Sequence, residues 1–165
     1  MSFVKYQHVE RFGTVEVRGI EEGPCHIFPK LDGANGSVWY QDDQVHCGSR
    51  NQHLNGENGL QGFKQYIQNH EGHQSFGKDY PHLRLYGEWL VPHTLKTYRP
   101  DAWRRFYVFD VCYLDEEEGR TKYMSYEEYK PLMKRTALTL FPVLQLSRME
   151  TRSPFANGQS GISSS

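Results

Sequence analysis

Leu83-Arg84-Leu85-Tyr86-Gly87-Glu88-Trp89-Leu90-Val91 alternates along its length, with Leu83, Leu85, Gly87, Trp89 and Val91 on one side and Arg84, Tyr86, Glu88 and Leu90 on the other. Side chains at i and i+2 of an extended chain share a face, so this period of two predicts a strand with one side in a core. Further along, Phe106-Tyr107-Val108-Phe109-Asp110-Val111-Cys112-Tyr113-Leu114 is apolar at nearly every position except Asp110, which predicts a buried interior strand. A carboxylate in such a strand is costly unless it is paired. Asp110 is therefore either a structural hydrogen-bond acceptor or a catalytic group.

Working outward, Gly36 to Tyr40 and Gln44 to Cys47 flank Gln41-Asp42-Asp43, the pattern of a hairpin. Cys25 to Lys30 and Thr14 to Arg18 also read as strands, and Pro142 to Leu146 as one more. Leu60, Phe63, Tyr66 and Ile67 recur at helical spacing and predict a helix of about three turns ending near Asn69. Ser125 with Glu128 three residues on is a capping box, so a second helix starts there, with Pro131 limiting or kinking its first turns. The acidic Asp115 to Glu118 followed by Gly119 reads as a solvated hairpin turn. Together these predict an α+β fold, with a mostly antiparallel sheet and packed helices. Residues 1–150 form the structured part, and the serine-rich TRSPFANGQSGISSS from Thr151 is expected to be a disordered tail over 151–165.

The chain has 165 residues, with 19 basic against 20 acidic side chains, so charge repulsion does not hold it open and its overall charge is no nucleic-acid footprint. A nucleic acid would have to bind at a local patch. The sequence contains no apolar run of the roughly 18 residues a membrane span requires and no charged-then-apolar leader, and its three scattered cysteines make no disulfide framework. A reducing, cytoplasmic setting without a membrane partner is expected. Cys25-His26 and His46-Cys47 look like halves of a zinc site, but neighbours on a strand point to opposite faces and cannot share one ion.

The chemistry concentrates in Lys30-Leu31-Asp32-Gly33-Ala34-Asn35. A lysine at the end of a strand offers a nucleophile on a rigid support, and the glycine lets a large ligand approach the backbone. Downstream lie Ser49-Arg50, then Tyr86-Gly87-Glu88-Trp89, then Phe106 to Val111. In this order the four elements resemble motifs I, Ia, III and IIIa of the covalent nucleotidyltransferases, the superfamily of ATP-dependent ligases and mRNA capping enzymes. Lys5-Tyr6, Gly13 to Val17, Gly19-Ile20 and the extension of motif I to Asn35 resemble the bacteriophage RNA ligases of RNA ligase 2 type.

The resemblance implies a nucleotidyltransferase fold of the ATP-grasp-like ligase adenylation kind, with ATP and Mg2+ as cofactors. It implies that Lys30 takes AMP from ATP, that AMP passes to the 5′-phosphate of an RNA end, and that a 3′-hydroxyl then displaces it to seal the strand. Free lysine has a pKa of about 10.4, so a nucleophilic lysine needs neighbours that favour the neutral amine. By the same resemblance Arg50 would hold phosphate or ribose oxygens, Glu88 the ribose hydroxyls, Phe109 the adenine face, and Asp32 and Asn35 would lie near the α-phosphate. Between the two main strands, Lys96 to Arg105 interleaves basic and aromatic residues. Arg99, Arg104 and Arg105 there are candidates for RNA binding, against the plainer reading of a solvated loop with anchoring aromatics.

The chain departs from the pattern in two places. Pro29 stands where the family carries a polar residue that contacts the base, and neither an acidic-Gly-apolar motif IV nor a Lys-x-Lys motif V follows motif IIIa. The sequence therefore reads as a partial domain, the front part of an RNA ligase adenylyltransferase. Its later motifs have been truncated or lost, or are supplied in trans by another chain as a missing C-terminal portion. Two other readings stay open at this point: a non-catalytic nucleotide- or RNA-binding remnant, and a related DNA ligase or capping guanylyltransferase.

Overall fold

The computed structural model describes residues 2–20, 22–57, 59–142 and 145–149. These fall into two compact units, one of residues 2–8 with 29–142 and the other of residues 9–28 with 145–149. The smaller unit is an antiparallel pair of β1 (Gly23–Ile27) and the strand Gln145–Met149, preceded by a 3-10 turn at Val15–Val17. The alternation at Thr14 to Arg18 is thus a turn and not a strand. None of its helical residues is buried, so the alternating valines had no core to hold them extended. The expected tail from Thr151 lies outside the described residues.

The larger unit is built on a five-stranded antiparallel sheet. Its strands are β2 (Ala34–Gln41), β3 (Gln44–Ser49), β4 (Leu83–Trp89), β5 (Phe106–Asp115) and β6 (Arg120–Tyr123), in spatial order β3-β2-β4-β5-β6. The β2–β3 hairpin closes through Asp42 and Asp43, both at positive φ (49° and 57°), the left-handed backbone that a two-residue hairpin turn requires. Between β3 and β4 come two helices, α1 (Phe63–Asn69) and α2 (Glu71–Asp79), and after β6 comes α3 (Tyr126–Arg135). As the sequence predicts, α3 starts at a capping box, with the Ser125 amide donating to Glu128 Oε2 at 2.6 Å. Pro131 sits inside α3 without ending it.

The helices pack on one face of the sheet. Phe63 and Ile67 of α1, Phe76 of α2, and Tyr129 and Met133 of α3 share one apolar cluster with Val38, Leu85, Trp89, Phe106, Val108 and Val111. Phe63 meets the rings of Trp89 (5.6 Å) and Phe106 (4.8 Å) and fills the space over Gly36, where a Cβ would come within 2.8 Å of its ring. The opposite face carries Trp39, Arg84, Tyr86 and Glu88, and residues 2–8 run along it. Phe3 packs on Trp39 (6.0 Å), Arg84 donates to the Ser2 carbonyl, and the Tyr86 hydroxyl donates to the Val4 carbonyl at 2.8 Å. Buried Arg84 also lies over the Trp39 ring at 4.6 Å.

Phe63 is fully buried and its partners belong to the same rigid layer, so Phe63→Ala leaves a cavity that little can refill. The expected loss is about 3–5 kcal/mol, read as a lower urea midpoint at unchanged m-value. An intact midpoint would show that the helical layer does not depend on this contact.

Candidate active site

β1 ends at Ile27 rather than at Lys30, because Pro29 has no amide to continue a ladder. Lys30 is exposed at the start of the short link Lys30 to Gly33 that delivers the chain into β2. That link is tied down from the far side of the sequence. The Asp32 amide donates to Tyr98 Oη at 3.0 Å, and the Gly33 amide donates to Glu88 Oε1 at 2.8 Å. Gly33 is obligatory, since a Cβ there would stand 2.3 Å from the Trp89 carbonyl oxygen. Only glycine lets the link approach the end of β4 closely enough for its amide to reach Glu88.

Both Asp32 carboxylate oxygens are occupied: Oδ2 accepts the Leu95 amide at 2.6 Å, and Oδ1 lies 3.2 Å from His93 Nδ1. These contacts, the Leu95 amide foremost, hold the Asp32 carboxyl below the usual range. Its carboxylate thus organises the connection after β4. Glu88 lies directly across the β2–β4 ladder from Asn35. Half-buried, Glu88 has its carboxyl pushed upward by burial, while the Gly33 amide and the Lys30 charge pull the other way and the Asp32 charge adds to the rise. Lys30, Asp32, Asn35 and Glu88 therefore form one neighbourhood.

Arg50 is exposed in the tight turn after β3, where the Ser49 amide donates to the Gln52 carbonyl at 2.9 Å. The ladder pairs Ser49 with Gly36, which leaves Arg50 at the Asn35 end of the sheet. Phe109 occupies a β-bulge. The register runs Gly87↔Val108 and then Tyr86↔Asp110, so Phe109 is the extra residue. The bulge turns Phe109 and Asp110 towards the same neighbour, Tyr6, which contacts the Phe109 ring at 5.2 Å and donates its hydroxyl to Asp110 Oδ2. The Phe109 ring also meets Phe141 at 5.9 Å. Asp110 is accordingly held by a structural partner; burial pushes its carboxyl upward and the Tyr6 hydroxyl opposes that rise.

Of the three arginines between β4 and β5, Arg99 is 3.6 Å from the carboxylate of Asp101 in its own loop. Arg104 and Arg105 are exposed, at the end of the connection. Sequence reasoning missed His93, Tyr98 and Tyr6 as supports of the site. Tyr98 stood out only as an aromatic among basic residues, and nothing in that pattern shows that its oxygen receives an amide from Asp32. Among the described residues no group of three or more His, Cys, Asp or Glu side chains is arranged to hold a metal ion.

Residues 23–159 match the sequence model of the family described as RNA ligase. The chain belongs to the RNA ligase family. The fold matches solved structures of ligases. One is a Naegleria gruberi RNA ligase mutant with ATP and Mn, at TM-score 0.64 and 20% identity, covering 89% of this chain and 44% of that one. Another is a putative ATP-dependent DNA ligase from Aquifex aeolicus, at TM-score 0.61 and 20% identity over 87% of this chain and 38% of the other. The Naegleria gruberi RNA ligase with PPi matches at TM-score 0.59 and 17% identity, over 89% and 44%. The chain thus spans about two fifths of the length of these structures. A comparison with curated proteins returns no match. Within the family chain, no described helix is long and apolar enough to cross a membrane.

Glu88 gives this site a pH signature. Its carboxyl binds a proton more tightly in the folded than in the unfolded protein, so the stability it contributes is full below the ordinary glutamate pKa and is lost as pH rises through the raised one. Glu88→Gln keeps an acceptor for the Gly33 amide and removes the charge. The variant is expected to match the wild type in urea midpoint near pH 4 and to exceed it increasingly towards pH 7. Parallel midpoint curves across that range would contradict the burial cost assigned to Glu88.

Proposed function

We propose that this chain carries the nucleotidyl-transfer chemistry of an ATP-dependent RNA ligase, with Lys30 as the nucleophile. The observation that carries the reading is the Gly33 amide bound to Glu88, which brings the link bearing Lys30 against the end of β4. In the first step the neutral Lys30 Nζ attacks the α-phosphorus of ATP. The N–P bond forms, the P–O bond to pyrophosphate breaks with its electron pair leaving on pyrophosphate, and the amine proton passes to solvent. AMP then moves from Lys30 to an oxygen of the RNA 5′-phosphate, restoring the free amine. Attack by a 3′-hydroxyl on that phosphate expels AMP and joins the ends.

The other side chains take roles that fit their positions. With Oε1 committed to Gly33, the second carboxylate oxygen of Glu88 is the one that accepts from a ribose hydroxyl in this reading. Asn35, across the ladder from Glu88, and Arg50, at the same end of the sheet, supply a neutral donor and a planar cation for phosphate oxygens. Phe109, set out by its bulge, offers a ring for adenine. Asp32 acts as a positioning residue, since both its oxygens face the connection after β4. Arg104 and Arg105 contribute to binding the RNA strand, and Arg99, paired with Asp101, contributes less. The divalent ion that such chemistry uses would arrive with the triphosphate.

Incubation with α-labelled ATP and magnesium tests this reading. The expected result is a covalently labelled protein whose adduct withstands denaturation and alkali but releases AMP in mild acid, as a P–N bond does, is absent in Lys30→Ala, and is reduced at least tenfold in Glu88→Ala. No label on a folded wild-type chain, or label that persists in Lys30→Ala, would overturn the assignment. Labelled GTP in parallel separates the reading from a capping guanylyltransferase.

A further inference from the structure

The helical face of the larger unit holds a cleft of about 470 Å³, lined by Tyr66, His70, Asp101, Trp103, Arg104 and Arg105 among others. Trp89 and Glu88 are successive residues of β4, and Trp89 packs against Tyr66 at 4.9 Å. The cleft therefore lies on the side of the sheet away from Glu88. It is separate from the neighbourhood of Lys30.

Its chemistry is specific. Two adjacent guanidinium groups line it, and among the described residues neither is in an ion pair. The one carboxylate in the lining, Asp101, lies beside Arg99. Arg104 is held at positive φ (55°), a costly conformation for a side-chain-bearing residue. Two backbone bonds enforce it, Arg104 N–H to the Leu90 carbonyl (2.8 Å) and Leu90 N–H to the Arg105 carbonyl (3.0 Å). The aromatic components are fixed as well. The Tyr66 ring contacts those of His70 (5.0 Å) and Trp89 (4.9 Å), both tilted, and Trp103 stands perpendicular to Tyr98 at 5.1 Å. Burial raises the Tyr66 hydroxyl, and a hydrogen bond with the Phe106 backbone and, after it, the Arg105 charge oppose that rise.

We propose that this cleft seats one unpaired nucleotide of the RNA strand, with its base against Trp103 and Tyr66 and its flanking phosphates on Arg104 and Arg105. The volume suits a single small ligand, within the range of about 300–1,000 Å³ for such sites. Fixed aromatic surfaces beside arginines that make no ion pair among the described residues are the combination that binds single strands through stacking and phosphate contact. Stacking requires a splayed base, so the cleft selects an unpaired segment over a continuous duplex. The inference rests on the reading of the chain as one that handles RNA ends, and it adds where the strand is held.

The test uses the full chain and a fluorescein-labelled, unstructured ten-nucleotide RNA with a 5′-phosphate, followed by anisotropy across a salt series. Arg104→Ala with Arg105→Ala should weaken binding and lower the log–log salt slope by about 1.4, at about 0.7 per phosphate released. Trp103→Leu should weaken binding about fivefold or more at an unchanged slope, while Trp103→Phe retains most of it. Because Trp103 supports Tyr98, a second measurement uses the unaltered protein: the same RNA carrying 5-iodouridine is photocrosslinked, and the labelled peptide is expected to contain Trp103 or Tyr66. Affinity insensitive to Trp103→Leu, or crosslinks confined to other peptides, would overturn the proposal. So would an effect of the arginines alone, which would be surface attraction without a seat for a base. The labelled-ATP assay on the wild type is independent: loss of the adduct would count against Lys30 and leave the cleft result standing, and the reverse also holds.

Discussion

The hydrogen bond from the Gly33 amide to Glu88 Oε1 is the contact on which the geometry of the site depends. It joins a link that has no secondary structure of its own to the most buried strand of the sheet, at residues 55 apart in sequence. Two conditions make it available. Residue 33 must lack a side chain, because the Trp89 carbonyl occupies the place of a Cβ, and Glu88 must remain on the sheet face opposite the helical core. A charged acceptor at a backbone donor makes a stronger hydrogen bond than a neutral one. Here it also compensates part of the cost of half-burying a carboxylate, which the Lys30 charge offsets further.

The same logic governs the connection after β4. Left alone, the segment from Pro92 to Arg105 has little apolar material to hold it. The Asp32 carboxylate fixes its near end through the Leu95 amide and His93, and Tyr98 receives the Asp32 amide in return. Tyr98 in turn packs against Trp103. The turn that bears Lys30 and the stretch that bears Arg104 and Arg105 are therefore one contiguous set of contacts, although they address opposite faces of the sheet. Altering Tyr98 should disturb both ends at once, whereas altering Glu88 should not reach Trp103 through this chain of contacts.

The strands were legible in the sequence where the burial pattern was strong. Leu83 to Trp89 is a strand with the expected faces, because a period of two over a long segment has few other physical interpretations, and the apolar run from Phe106 is an interior strand of the sheet, as its composition predicts. Thr14 to Arg18 shows the converse: alternation without a core to receive it gave a 3-10 turn. Helix α2 was invisible, since EGHQSFGKD buries His73, Phe76 and Gly77, a set that includes only one strongly apolar side chain. The site divides in the same manner. The motif resemblance singles out Lys30, Asp32 and Glu88 as candidates, and the structure brings them into one neighbourhood, but that the Asp32 carboxylate faces Leu95 and His93 could not be read from it. That contact is made by a backbone amide 63 residues away, and an amide carries no sequence signature.

The bulge at Phe109 shows how little sequence is needed to change what a strand presents. Strict alternation after Val108 would place Phe109 and Asp110 on opposite faces, and one of them would enter the helical core. A phenylalanine there would compete with Phe106 and Val111 for space, and an aspartate there would be an unpaired charge. Inserting one residue into the ladder sends both to the outer face, where Tyr6 satisfies the carboxylate and packs on the ring. The bulge thus converts a conflict within β5 into an outward-facing aromatic beside a hydrogen-bonded acid, on the face that also carries Glu88. Residues 2–8 belong to that arrangement as much as the sheet does. Without Tyr6, the half-buried Asp110 carboxylate would lose its hydroxyl donor, and the ring of Phe109 would lose an aromatic neighbour that fixes it.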